Sequence, residues 1–257
     1  MSFERIEPGT TEWDAYFASH IHRYHFAAQR LLEHGSRKIL DAACGVGYGS
    51  HHLASTMASE VIGVDRDEHA LAIANRDFQR DNVRFILDDC ETLREACKHG
   101  PFDAVVSFET LEHLKQPSQF LSAVRDLLKP DGSAIVSIPN SDVASSADWE
   151  FHERDFNAGE FEEILTNADF CRLDFHGQYM NSLGRLREQI RAEANRIRFN
   201  PSFRLGAWLQ KRLRNHHLPP PLPEQIEDFE MHSASPEEIR RQGKHGPIAI
   251  IVVAARA

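Results

Sequence analysis

Apolar positions recur along the chain with two different periods, and the two alternate. Between 15 and 35, Phe17, Ile21, Tyr24, Ala28, Leu31 and Leu32 fall at helical spacing, with Gly35 as a stop signal. This predicts an N-terminal helix over about 14–35. Short, nearly continuous apolar runs then take over: KILDA (38–42), EVIGVD (60–65), VRFIL (83–87), FDAVVSF (102–108) and SAIVSIP (133–139). Segments 48–57, 68–78 and 117–128 are predicted helices. Strands of this kind separated by helices are what a parallel sheet covered on both faces requires, so the pattern predicts a doubly wound α/β domain. A helix at 158–168, a strand near 170–176 and a last strand in PIAIIVVAA complete the chain. Residues 180–235 do not fit a simple connection. They are expected to form a helical insertion or cap on a single domain spanning 1–257.

Composition narrows the function classes. Hydrophobic residues make up 41% and charged residues 26%, a globular balance, and the net charge of −10 argues against a whole-protein electrostatic nucleic-acid binder. One segment runs against that sum, since 185–214 carries nine Arg or Lys against two Glu. It reads either as a solvated basic face or as a cap for an anionic acceptor or partner subunit. The four cysteines show neither disulfide-framework nor zinc spacing, and no signal peptide or membrane span is evident. A cytoplasmic setting is expected.

The sequence LDAACGVGYGS (40–50) places Asp41 at the end of the first predicted strand, then Gly45, Gly47 and Gly49 before a helix. Glycine lets the backbone turn sharply and a ligand lie against it, because a Cβ would obstruct both. Asp65 ends the second strand, twenty residues after Gly45, where a carboxylate can accept both hydroxyls of a ribose. Asp88, Asp89 and Cys90 follow the third strand, placed to meet an adenine amino group. A nicotinamide-binding loop would have its third glycine at position 50, which is Ser here. It would also bring Asp41 close to a pyrophosphate. S-adenosylmethionine (SAM) carries an ammonium and a sulfonium and no phosphate, so acids at three successive strand ends fit it better.

Together DAACGVGYG, VIGVD, LDDCETL, FDAVVSFETLEHL and LKPDGSAIVSIPN resemble the successive motifs of class I SAM-dependent methyltransferases, over roughly residues 20–175. The resemblance implies a mainly parallel seven-stranded sheet with its last strand antiparallel, and SAM as cofactor. It implies that the loop of Asp41, Ala43, Gly45 and Gly47 holds the methionine part. Asp65, with Arg66 beside it, would take the ribose, and Asp89 with Cys90 the adenine. Arg23 and Phe108 would help close the pocket.

On the acceptor side, SFETLEHLKQP (107–117) spaces Glu109, Glu112 and His113 at i, i+3, i+4, so a helical turn would present all three on one face. Carboxylates with an imidazole suit Mg, Mn, Fe or Zn. His152 follows the fifth strand in FHERDF. Two readings stay open: a divalent metal on Glu109, Glu112, His113 and His152, or a metal-free site in which His113 and Glu112 are catalytic and His113 is the base. Each excludes the other, because a metal-bound imidazole nitrogen has no lone pair for a proton. The E-x-x-E-H…H arrangement resembles the metal site of small-RNA 3′-terminal ribose 2′-O-methyltransferases, and the E-x-x-E-H part also resembles the ubiquinone-pathway O-methyltransferases. HIHRYHFAA, CGVGYGS and FHERDF resemble a bacterial group found with surface-glycan assembly genes.

A sugar hydroxyl is barely ionised at neutral pH and needs a base or a cation to become nucleophilic. The expected activity is therefore O-methylation of a small polar acceptor: a sugar, sugar phosphate or glycan. The alternatives are methylation of an RNA 3′-terminal ribose, disfavoured by overall acidity, and a non-catalytic SAM-binding protein. A homodimer is compatible with this reading.

Overall fold

The computed structural model describes residues 6–56, 60–143, 152–189 and 225–256. A long helix α1 (Thr11–Glu33) opens the fold, capped by Thr10, whose hydroxyl accepts from the Trp13 amide at 3.1 Å. Then β1 (Lys38–Ala42), α2 (Tyr48–Thr56), β2 (Glu60–Asp65), α3 (Glu68–Asp77) and β3 (Val83–Leu87) alternate as the apolar runs predict. They are followed by β4 (Phe102–Phe108), α4 (Pro117–Leu127), β5 (Leu128–Pro139), α5 (Ala158–Asn167) and β6 (Phe170–Met180). The chain closes with β7 (Phe229–Ser233), a short helix Pro236–Gln242 and β8 (Ala249–Arg256).

The strands form one sheet in the order β3-β2-β1-β4-β5-β8-β6-β7. The first five are parallel, and β8 lies antiparallel between β5 and β6. Side-chain alternation sends Ile39, Val61, Ala104, Val106 and Ile251 to one face, where they pack with Ile21, Ala28, Leu31 of α1 and Leu53 of α2. Leu40, Ile62, Val105, Val136 and Val252 face the other way, against Phe120 and Val124 of α4 and Phe161 and Leu165 of α5. Both faces are covered, which is why the strands read as nearly unbroken apolar runs.

The sheet has eight strands rather than the seven expected. The additional one, β7, pairs antiparallel with β6 at the sheet edge, within the stretch expected to be a helical insertion. Its sequence FEMHS buries only Phe229, so no apolar period marks it. It is defined by its register with β6, His176↔Ser233 to Met180↔Phe229. Of the basic segment 185–214, residues 185–189 continue a helix that begins at 182; the remainder of that segment lies outside the described residues. No helix among the described residues is long and apolar enough to cross a membrane.

The loop after β1 packs so closely that its glycines carry distinct duties. A Cβ on Gly49 would collide with the Tyr24 ring of α1, and one on Gly47 would come within 2.7 Å of both Ala74 and Phe85. Gly49→Ala is therefore expected to destabilise the fold by about 1–3 kcal/mol through overpacking, read as a lower midpoint in chemical unfolding with the slope unchanged.

Candidate functional site

The central strands β1 and β4 part company at their carboxyl ends, the switch point at which open α/β sheets place their ligands. Each is followed by a non-glycine residue in the left-handed region, Ala43 (φ 61) after β1 and Glu109 (φ 50) after β4. Such backbone costs about 1–2 kcal/mol and persists only where its surroundings hold it. Glu109 is held by Ser137 of β5. The Glu109 amide donates to Ser137 Oγ at 3.2 Å, and that hydroxyl donates to Glu109 Oε1 at 2.8 Å.

Beneath the glycine loop lies Asp41, which is fully buried. Its carboxyl accepts from Tyr24 Oη of α1 at 3.0 Å and from Ser50 Oγ of α2 at 2.6 Å. Burial raises its pKa to about 7, although both hydroxyl donors pull the other way. Above it, Asp65 at the end of β2 accepts from the Gly45 amide at 2.9 Å through one oxygen and from the Asp67 amide at 2.9 Å through the other. Gly45 has φ 55, and a Cβ there would point into open space with nothing within 4 Å. The loop is thus tied down on both sides and leaves its Gly45 surface bare.

A sequence profile described as a methyltransferase domain matches residues 33–169, more than half of the chain. A relative from Mycolicibacterium smegmatis named "Probable S-adenosylmethionine-dependent methyltransferase" is 34% identical over 186 residues, covering 69% of each chain. This chain belongs to the SAM-dependent methyltransferases. SAM is its cofactor. The ubiquinone biosynthesis O-methyltransferase of Neisseria meningitidis serogroup C is 34% identical over a shorter span of 112 residues, which is 42% of this methyltransferase and 47% of that relative. The crystal structure of a SAM-dependent methyltransferase from Archaeoglobus fulgidus shares the fold, with a TM-score of 0.54, 18% identity and coverage of 90% of this chain and 93% of that one.

The residues expected around SAM divide into two groups. Gly45 forms the bare loop surface next to Ala43, and Asp65, itself buried, supports it through the Gly45 amide. Arg66 and Asp89, both exposed, line an open cleft with Leu87, Asp88, Thr92 and Arg94 at the ends of β2 and β3. Arg23 is buried, and its Nε and Nη2 have no hydrogen-bond partner among the described residues. Others work from below. Asp41 was expected at the ligand, but its carboxyl is wholly covered and serves the loop by gripping Tyr24 and Ser50. Gly47 is a packing position. Cys90 is buried, and Phe108 packs edge-on to Tyr24 with centroids 4.9 Å apart. Asp88 spends its carboxylate on the Asp89, Glu95 and Ala96 amides, which fixes the turn that presents Asp89.

On the acceptor side the expected helical turn is a short 3-10 turn, Leu111–His113, because Glu109 in the left-handed region interrupts the helix before it starts. Ligand atoms of Glu112, His113 and His152 lie within 4.8 Å of one another. Glu109 is not among them. Besides Ser137 it faces Arg23, with Oε2 3.8 Å from Nη2. His152 is delivered from the far side of β5 because the Glu153 and Arg154 amides both donate to the Glu112 carbonyl, at 2.8 and 3.3 Å. The His113 and His152 rings meet edge to face, 4.7 Å apart. Both carboxylate oxygens of Glu112 are buried without a hydrogen-bond partner among the described residues. Burial, then the Glu109 charge, pushes the Glu112 pKa well above the carboxylate range, with Arg23 opposing.

Sequence reasoning missed Tyr24 and Ser137 as partners in this site, and Gln178 of β6, which accepts from Arg23 Nη1 at 2.8 Å. Ser50 had left a signal, since it stands where a dinucleotide loop would have glycine.

The sign of the Asp41 shift fixes a pH dependence. Its pKa is 3.8 unperturbed and about 7 in the fold, so the native state binds the extra proton between those values. The resulting stabilisation is fully present below the lower value and is lost as pH rises through the upper one. Asp41→Asn cannot titrate, so relative to wild type it gains on the order of 3 kcal/mol between about pH 4 and about pH 8. Unfolding curves at both pH values check this.

Proposed function

We propose that this enzyme transfers the SAM methyl group to a hydroxyl of a small polar acceptor bearing neighbouring oxygens, with assistance from a divalent cation. The observation that carries the reading is Glu112, a fully enclosed carboxyl whose two oxygens have no hydrogen-bond partner among the described residues and which stands beside two imidazoles, His113 Nε2 lying 3.9 Å from Oε1. An isolated buried carboxylate is expensive, and a second acid nearby makes it more so. A cation held by Glu112, His113 and His152 would compensate that charge. The set of one carboxylate and two imidazoles suits a first-row transition metal such as Mn²⁺, Fe²⁺ or Zn²⁺ better than Mg²⁺, which prefers oxygen ligands. Such an ion would supply Lewis acidity for lowering the pKa of an acceptor hydroxyl. The likeness to ubiquinone O-methyltransferases, over less than half of either chain, agrees with oxygen as the methylated atom. A sugar, sugar phosphate or glycan is the acceptor class in which adjacent hydroxyls occur most densely.

SAM supplies an electrophilic methyl on a sulfonium. The chain's own residues bind and orient it. In this reading Asp65 accepts from the ribose hydroxyls, Asp89 and Arg66 flank the adenine, and the bare Gly45 surface receives the methionine part. The free donors of Arg23 meet its carboxylate. Ser137 and Arg23 hold Glu109 away from the cation-binding residues, at the boundary between the two halves of the site.

Two measurements test this. Asp65→Ala removes a charged acceptor and frees the Gly45 loop, so SAM affinity measured by calorimetry is expected to fall more than tenfold, from about 1.5–3 kcal/mol per lost charged bond. Chelation should abolish turnover on a panel of sugar and catechol acceptors while SAM binding persists, and Mn²⁺, Fe²⁺ or Zn²⁺ should restore it. His113→Ala should lower turnover on the order of 10²-fold or more whether the residue is a ligand or a base. Full activity after chelation would remove the metal and leave His113 as the base.

A further inference from the structure

Arg23 is held from an unexpected direction. Gln178 of β6, fully buried and 155 residues away in sequence, accepts from Arg23 Nη1 at 2.8 Å. Its other end is fixed on the same helix. Gln178 Nε2 donates to the Ser19 carbonyl at 2.8 Å and meets His22 Nδ1 at 3.1 Å. A carbonyl can only accept, so the amide cannot turn over, and its oxygen must face the guanidinium. Burial and the Arg23 charge lower the His22 pKa to about 4, which keeps that imidazole neutral around pH 7. The backbone of Gln178 is equally fixed, paired with Ala249 of β8 on one side and Met231 of β7 on the other.

The consequence lies on the opposite edge of the guanidinium. With Nη1 engaged, Nε and Nη2 are left side by side, buried and without a hydrogen-bond partner among the described residues. That pair is the fork that binds a carboxylate with two parallel hydrogen bonds. Gln178 is neutral and leaves the guanidinium charge intact; among the described residues, the carboxylate nearest the fork is that of Glu109, whose Oε2 lies 3.8 Å from Nη2, beyond hydrogen-bond distance.

We propose that Gln178 is a positioning residue for the cofactor: by holding Nη1 it presents the Nε/Nη2 fork of Arg23 to the carboxylate of SAM. The inference builds on the assignment of Arg23 to that carboxylate. It gives the additional edge strand a purpose, since β7 pairs with the end of β6 that carries Gln178, beyond the segment marked by apolar residues.

The test is calorimetric titration of the full chain with SAM and with decarboxylated SAM, which lacks only the carboxylate. Wild type is expected to prefer SAM. Gln178→Met should weaken SAM about tenfold and change decarboxylated SAM by less than twofold. If the methionine variant does not fold, Gln178→Glu gives the same selective loss by neutralising the guanidinium. Equal weakening of both ligands, or unchanged SAM affinity, would overturn the positioning role. Arg23→Met separates the two claims. If it abolishes the preference for SAM while the Gln178 variant keeps it, only the role of Gln178 falls. If it leaves the preference intact, Arg23 is not the carboxylate's partner and both fall.

Discussion

The Asp41 carboxyl, sealed under the loop that follows β1, is the constraint on which the rest of the site depends. Burying an acid is costly unless its oxygens are satisfied, and at Asp41 α1 and α2 each contribute one hydroxyl. Tyr24 thereby fixes the rotation of α1 against the sheet. Arg23, the preceding residue, then projects toward β6 and the end of β4 rather than into solvent. Ser50 fixes α2, and the glycines between them accept the close packing that results. The Asp65 carboxylate completes the arrangement by holding Gly45 from above. The loop is therefore held by contacts within the chain, and such internal support lowers the ordering cost of binding.

Charge is partitioned with similar economy at the other strand end. Glu109 and Glu112 are three residues apart, and two carboxylates in one small space repel each other. The left-handed backbone at Glu109 separates them. It turns Glu109 toward Ser137 and Arg23 and leaves Glu112 beside the two histidines. Left-handed backbone at one residue thus sends the two carboxyls of one motif to different partners. The Glu112 main chain contributes as well, because its carbonyl anchors the loop that carries His152.

Much of this was readable from the amino-acid order. Continuous apolar runs and helical spacing located β1 to β5 and the helices between them to within a few residues, since a strand buried on both faces has little freedom in composition. The glycine loop, the acids at three strand ends and the E-x-x-E-H motif were local patterns, and the fold gathers them at the carboxyl ends of the parallel strands. What each residue does there was not local. Asp41 works from beneath the loop, Glu109 stands apart from the cluster of Glu112, His113 and His152, and Gln178 joins Arg23 across 155 residues. The eighth strand exists because β6 offers it a partner, not because its five residues carry a strand signal. Sequence determined which segments must be buried and where chemistry gathers, because both follow from side chains acting on near neighbours. Pairing, burial and the direction of each polar group were decided only by tertiary structure, because they depend on atoms brought together from distant parts of the chain.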